Sequence, residues 1–319
     1  MRMTANGLLG SRGCMFTFHR VAASTDWDAL PNRDFYIDLG FLDRLLCHLA
    51  RTGWEVVTIE EVLRRAARAD ADARYVNFSV DDGYRDTFEE VVPLFRRHGV
   101  PITLFITTGI PDATLPMWWA GLEDTIIRKD SVIVEDETIE VGTPDAKRKA
   151  YLRIAKAWDG SDAPDRYAAF CTHNGINANT VHSKHAISWD MLDDLRLDPL
   201  VEIGAHGVTH DRISSLQPHA ALSELEGSRK RLLKMLGIDA RHFAFPYGRS
   251  GDCGPRDFEF AHLAGFSSAA TTRKGLIRRG QDAYSLPRNT LNGAHRNLTM
   301  IELHLSGLTG VAAKTLGRV

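Results

Sequence analysis

Cysteine is scarce: the 319 residues hold four, Cys14, Cys47, Cys171 and Cys253, at wide intervals. That usage fits a reducing compartment better than a disulfide framework. Long apolar runs are missing too. No stretch approaches the ~18 consecutive apolar residues of a membrane span, and Met1 to Arg20 carries Arg2 and Arg12 without the uninterrupted apolar segment of a secretory signal. Both absences point to a cytoplasmic protein with no transmembrane segment. Neither sign of charge dominates. Lys and Arg total 39 against 41 Asp and Glu, a formal charge of -2, so no global basic surface recommends a nucleic-acid partner. Internal repeats and low-complexity segments are also lacking. What is present, 44% hydrophobic content over this length, supports one substantial core and excludes a disordered or fibrous chain.

Short apolar runs alternate with helical periodicity. Cys14 to His19 reads as a buried strand, and Phe41, Leu42, Leu45, Leu46 and Leu49 repeat at helical spacing up to Gly53. A strand over Glu55 to Thr58, a helix over Ile59 to Ala69 and a strand over Tyr75 to Val80 follow, the last running straight into Asp81-Asp82-Gly83. The spacing then predicts a helix from about Asp86 to His98, a strand over Pro101 to Ile106, and a helix over Trp189 to Leu195. After these come a strand over Val201 to Ala205, a long helix carrying Leu222, Leu225, Leu232 and Leu236, a strand over Phe243 to Phe245, and a helix over Phe258 to Ala264. Ser267 to Thr271 and Ser285 to Arg288 supply the last strands. About seven such units in one chain favour a closed or nearly closed α/β barrel with its chemistry just after the strands.

Residues 110–185 interrupt the alternation with Pro111, Pro116, Trp118-Trp119, an acidic turn at Glu135 to Glu137 and a basic helix over Lys147 to Lys156. They read as a cap inserted into a single domain spanning 1–319. The bland reading is a surface excursion stabilised by its own aromatics. The sharper one makes Trp118 and Trp119 a substrate platform over the strand ends.

Three places follow an apolar strand directly: Asp81-Asp82, His206 and Pro246-Tyr247. Among 13 histidines one His-x-x-x-His pair means little alone. His206, however, ends a strand, and a helical turn through Gly207 to His210 would put both imidazoles on one side. Two imidazoles and a carboxylate make a three-ligand catalytic zinc set. Asp-Asp-Gly taken alone is a turn with solvated carboxylates. At a strand end, with Gly83 permitting a tight turn, one of the two acids can bind a metal while the other accepts a proton.

Phe78-Ser-Val-Asp81-Asp82-Gly83-Tyr84 resembles the Thr-Phe-Asp-Asp-Gly motif of the NodB-type polysaccharide deacetylases (carbohydrate esterase family 4). Gly204-Ala-His206-Gly-Val-Thr-His210 resembles their His-(Ser/Thr)-x-x-His motif, and Phe243-Ala-Phe-Pro-Tyr-Gly248 their third. Thr17 to Val21, Ala264 to Phe266 and Leu286-Pro-Arg288 are weaker matches, so the likeness runs from about residue 14 to 290. The resemblance implies an irregular (β/α)7 TIM-like barrel and a metal-dependent N-deacetylase. By position it implies Asp81 as general base, Asp82, His206 and His210 as ligands of a divalent metal, for which zinc is expected, and a backbone N–H at Tyr247 as oxyanion donor. Pro246, Trp118, Trp119 and His19 are the candidate substrate contacts, His19 having a core hydrogen-bonded role as its alternative.

There are departures from the pattern. Asp82 and His206 stand 124 positions apart, much farther than in compact relatives. The family's arginine of the third motif and its late Leu-x-His are not clearly present. Arg288, in Ser-Leu-Pro-Arg, is the candidate to replace that arginine by pairing with Asp81 and keeping it ionised, against a plain structural ion pair. His295 and His304 are candidate general acids by position, against surface histidines. Cys171, His173, His182 and His185 have the residue types of a second zinc site without its spacing. Leu303 to Val319 reads as a helix packed on the barrel, an interfacial helix being the alternative. The expected substrate is an N-acetylated saccharide or glycolipid intermediate, handled in the cytoplasm or at the inner membrane face. A sugar-amide deformylase and an inactive carbohydrate-binding homologue are the competing readings.

Overall fold

The structure, a computed structural model, describes residues 12–68, 74–160 and 162–315. Seven parallel strands form the frame: β1 (Arg12–Phe18), β2 (Arg74–Val80), β3 (Ile102–Ile106), β4 (Val201–Ala205), β5 (His242–Ala244), β6 (Ser268–Ala270) and β7 (Asn289–Thr290). They pair in the order β6-β5-β4-β3-β2-β1-β7, and the short Glu55–Val56 strand shares the β3 side of β2. Leu286, three residues before β7, bridges Ala270 of β6, so the segment 286–290 returns the sheet to β1 and closes the ring. A strand expected over Ser285 to Arg288 is thus displaced to Asn289–Thr290. Pro287 has no N–H for the ladder, which leaves Leu286 as an isolated bridge before pairing resumes.

The outward face of these strands is apolar because helices cover it, while the buried inward face mixes apolar and polar side chains such as Thr17, Asn77 and Ser79. Outward-pointing Cys14, Phe16, Phe18, Phe78 and Val80 meet the helices, while Met15, Tyr75, Phe105, Ala244, Ala270 and Leu286 fill the interior. The covering helices are α1 (Leu39–Arg51), α2 (Ile59–Ala67), α3 (Val92–His98), α8 (Trp189–Leu195), α9 (Pro218–Leu236), α10 (Pro255–Leu263) and α11 (Leu298–Leu305), with α4 to α7 reserved for the cap below. α2 turns Ile59, Val62 and Ala66 to the interior cluster, and Ala69, the expected end of that helix, lies outside the described residues. The helix expected from Asp86 to His98 is divided. A π-helical turn at Thr87–Val91 precedes α3, consistent with Pro93 having no N–H to offer the carbonyl four residues back.

Between β3 and α8 the chain builds the cap from α4 (Trp118–Arg128), α5 (Pro144–Ala157), α6 (Ala163–Asn174) and α7 (Ala178–His185), plus a hairpin of Ser131–Val134 with Glu137–Glu140. The hairpin turns through Glu135 and Asp136, both at positive φ. Leu122, Ile126, Tyr151, Trp158, Tyr167 and Phe170 give the cap a core of its own. Gly121 is required there, since a Cβ would strike the Tyr167 ring. At its exit Ile187 N–H donates to the Gly83 carbonyl and Ala186 bridges Tyr84, which fastens the cap to the turn after β2. A buried chain of polar contacts fastens its other side: Arg20 pairs with Asp86 at 2.9 Å and donates to the Tyr36 hydroxyl, which donates to Glu123 of α4 at 2.6 Å. After α11 a last helix covers Leu308–Thr315, and residues 316–319 of the expected terminal helix lie outside the described residues. Ile301 and Leu305 of α11 pack on the barrel, and no helix among the described residues is long and apolar enough to cross a membrane.

Candidate metal and hydrolytic site

The carboxyl ends of β1, β2, β4 and β5 place His19, Asp81-Asp82, His206 and Tyr247 around one point. Backbone strain is concentrated there. Asp82, His210 and Tyr247 have φ of 75°, 62° and 60°, a left-handed conformation that side-chain-bearing residues avoid at a cost of order 1–3 kcal/mol each. Gly83, at φ 120°, lets the chain leave the strand sharply once Asp82 has turned inward. Strand alternation alone would point Asp81 and Asp82 to opposite faces, so the strain is what brings both to the rim.

Asp82 Oδ1 lies 3.5 Å from His206 Nε2 and 3.1 Å from His210 Nε2, and the three side chains form a group able to hold a metal ion. The donor set fits a divalent cation in two respects. Asp82 Oδ1 is buried and takes no hydrogen bond among the described residues. His206 Nδ1 donates to the Ala244 carbonyl at 2.7 Å, which fixes its tautomer and turns the Nε2 lone pair toward Asp82. Burial alone would raise the Asp82 carboxyl, but the His210 and His206 rings opposite hold it well below the ordinary carboxylate range. The two imidazoles are not related by a helical turn. Gly207 at φ 79° and His210 at φ 62° make 207–210 a loop, and Glu224 of α9 clasps it by accepting from the Val208 and Thr209 amides at 2.8 and 2.9 Å. A Cβ at Gly207 would come within 3.0 Å of that carboxylate.

Asp81 is held differently. Arg288, fully buried, donates to both its oxygens at 2.7 and 2.8 Å, and further to the Ser79 and Thr17 hydroxyls and the Thr271 carbonyl. Burial pushes the Asp81 carboxyl up, but the Arg288 guanidinium, helped by His206 and His19, brings it below its ordinary value. Asp81 is therefore ionised at neutral pH.

The Tyr247 amide donates no hydrogen bond among the described residues, and its ring lies 5.0 Å from His210 and 3.8 Å beneath the Arg212 guanidinium. Arg212 in turn pairs with Asp252 at 3.1 Å and with Asp159 of the cap at 2.8 Å. Pro246 is buried beside it, against Gly207. The two tryptophans part company: Trp119 donates to the buried Tyr84 hydroxyl with its ring 5.8 Å from His210, whereas Trp118 packs on Trp158 in the cap core. His19 stacks on Phe35 at 4.2 Å and lies within electrostatic reach of Asp81 and Asp82.

Other candidates lie elsewhere. His295 and His304 face each other at 3.0 Å outside the barrel, where His304 packs on the outward Phe16 and contacts Asn289, so neither reaches the carboxylates. The outward face of β1 decides this. Cys171 is buried in the cap, His182 donates to the Ile110 carbonyl and His185 contacts Arg20 and Asp124; with His173 they form no metal-holding group among the described residues. Thr17, Ser79, Glu224 and Arg212 escape a sequence reading. Glu224 carries a signal, being an acid within the apolar spacing of α9, but nothing local announces the rest.

Residues 68–254 match the family model for polysaccharide deacetylase, a segment that holds Asp81, Asp82, both histidines and Tyr247. The chain belongs to that family. Solved structures of deacetylases share the fold. The Streptococcus pyogenes deacetylase PplD in complex with acetate superposes with a TM-score of 0.61 at 14% identity, over 91% of this chain and 96% of that one. A de-N-acetylase of Aggregatibacter actinomycetemcomitans gives 0.60 at 13%, over 92% and 99%, and IcaB of Ammonifex degensii 0.58 at 17%, over 89% and 93%. No curated protein matches. Arg288 lies beyond the segment that the polysaccharide deacetylase model covers, although it closes on the carboxylate inside it.

Proposed function

We propose that this polysaccharide deacetylase family member is a metal-dependent hydrolase that removes N-acetyl groups from an amino-sugar saccharide or glycoconjugate. One observation carries the reading: an ion-paired, buried carboxylate, Asp81, stands next in sequence to Asp82, which shares its rim with two converging imidazoles. A divalent cation held by Asp82, His206 and His210, most simply zinc, would supply Lewis acidity and acidify a water molecule. The protein's own groups supply the rest. Asp81, kept ionised by Arg288, takes the proton of the attacking water. The free Tyr247 amide, in a strained backbone at φ 60°, donates to the oxygen on which negative charge develops. Trp119 and the Tyr247 ring, both beside His210, offer apolar faces to a sugar ring, and His19 with Pro246 completes the proposed contact surface.

Acetate release tests this, using short N-acetylglucosamine oligomers and lipid- or nucleotide-linked N-acetylhexosamines, before and after chelation and zinc restoration. Chelator-sensitive acetate upholds the reading, and formate from N-formyl analogues alone would move it to a deformylase. A carbohydrate-binding protein without turnover is the second reading, favoured by the seclusion of His295 and His304 outside the barrel. Saccharide binding with no acid released under any metal would establish it.

A further inference from the structure

Asp43 and Cys47 stand one turn apart on α1, and His98 is the last residue of α3, just before Gly99 reverses the chain at φ 64°. The His98 Nε2 and Asp43 Oδ1 atoms are 2.7 Å apart, and carboxylate, thiol and imidazole donor atoms all lie within 4.8 Å of one another. A hydrogen bond between His98 and Asp43 would account for two of these groups. It leaves out the third, because the Cys47 thiol has no hydrogen-bond partner among the described residues and is the exposed one of the four cysteines. We propose that Asp43, Cys47 and His98 form a second divalent-metal site, of zinc type, on the outside of the barrel.

The chemistry selects the ion. Thiolate and imidazole together suit zinc, cobalt or nickel, and disfavour magnesium and calcium, which take oxygen ligands. Tetrahedral zinc with bonds of about 2.0–2.3 Å sets neighbouring donors about 3.3–3.5 Å apart. The His98 to Asp43 contact must therefore open by roughly half an ångström and the thiol close in, movements within reach of half-exposed side chains on fixed backbones. The backbones are fixed, since Leu42, Leu45 and Leu46 of α1 and Leu94 and Phe95 of α3 are buried in one cluster with Phe78 of β2. Three protein ligands facing solvent leave a position for water, so the ion exchanges freely. Bound there, it cross-links the two helices flanking the outer face of β2, the strand that ends at Asp81 and Asp82.

The test is cobalt titration of the metal-stripped full-length protein under a phosphine reductant, following stoichiometry by equilibrium dialysis and the near-ultraviolet sulfur-to-cobalt charge-transfer band. The Asp82, His206 and His210 group has no thiol and cannot give that band. Expected are a thiolate band in the wild type, its loss with one equivalent of cobalt in Cys47→Ser, and a weakening of the same equivalent by at least tenfold in His98→Asn. All three side chains are at least partly exposed, so these variants should melt with the metal-free parent, and zinc should raise the melting temperature of the parent more than that of Cys47→Ser. Absence of the band in the wild type, or its survival in Cys47→Ser, would overturn the site. A wild type binding a single equivalent with the band upholds this site and counts instead against the one at Asp82.

Discussion

Replacing Arg288 with methionine removes the cation from a fully buried pair and strands Asp81. A buried ion pair broken on one side costs about 3–5 kcal/mol. A second route limits the cost. Rather than remain charged, Asp81 can take a proton, and neutralising a carboxyl of unfolded pKa about 3.9 costs about 1.4 kcal/mol per pH unit above that value. The limit is therefore about 4 kcal/mol at pH 7 and about 1.5 kcal/mol at pH 5. The sign follows from proton counting. In Arg288→Met the folded state binds one proton more than the unfolded state above pH 4, so its stability falls as pH rises, whereas the parent, whose Asp81 is held below the ordinary value, shows no such loss. Urea denaturation of both proteins at pH 5, 6 and 7, under chelator so that no cation neutralises Asp81, measures the difference directly. Adding Asp81→Asn should remove the pH dependence of the variant. A destabilisation below about 1 kcal/mol at pH 7, or one that does not grow with pH, would refute the pairing as the reason Asp81 is ionised.

Asp82→Ala or His206→Ala should lose the metal, and Asp81→Asn should keep it and lose turnover; full metal content in His206→Ala would remove the ligand assignment. Glu224→Gln weakens the clasp on two amides of the 207–210 loop, so metal affinity should drop about 10–100-fold by calorimetric titration while helix content is unchanged. Burial, with His295 and Lys274 nearby, pushes His304 down to about 4. Stability from its neutral form is complete above the unfolded value near 6.5 and is lost as pH falls toward 4, roughly 3 kcal/mol in all; a melting temperature equally pH-sensitive in His304→Leu would contradict this. Trp119→Ala should raise KM for saccharides with metal content unchanged, whereas Trp118→Ala should lower the melting temperature through the cap core.

The barrel strands were legible because their helix-covered face is apolar and each run ends at a turn residue, as in Val76, Phe78 and Val80 before Asp81. The last strand was not, because Pro287 breaks the ladder within the apolar run that announced it. His206 and His210 could be paired from spacing, but the loop joining them is made by two positive φ values and a distant carboxylate, which no periodicity encodes. The division of labour between Trp118 and Trp119 was equally hidden. Adjacent residues on a helix point about 100° apart, and only the cap core, built from Trp158 and Phe170, decides which indole is drawn away. His295 and His304 misled as candidate acids for a related reason. Position near the end of the pattern says nothing about which side of β1 a side chain meets.

The segment that closes the ring brings Arg288 to a carboxylate 207 residues earlier in the chain. Joining groups so far apart in sequence carries a loop-closure cost that the local strand and helix units do not. β1 to β5 carry both imidazoles and both aspartates at their ends, yet the charge that keeps Asp81 ionised comes chiefly from this closing segment. On the proposed mechanism the segment that closes the barrel thus also arms its base, so one short strand ties the integrity of the ring to the chemistry at its rim.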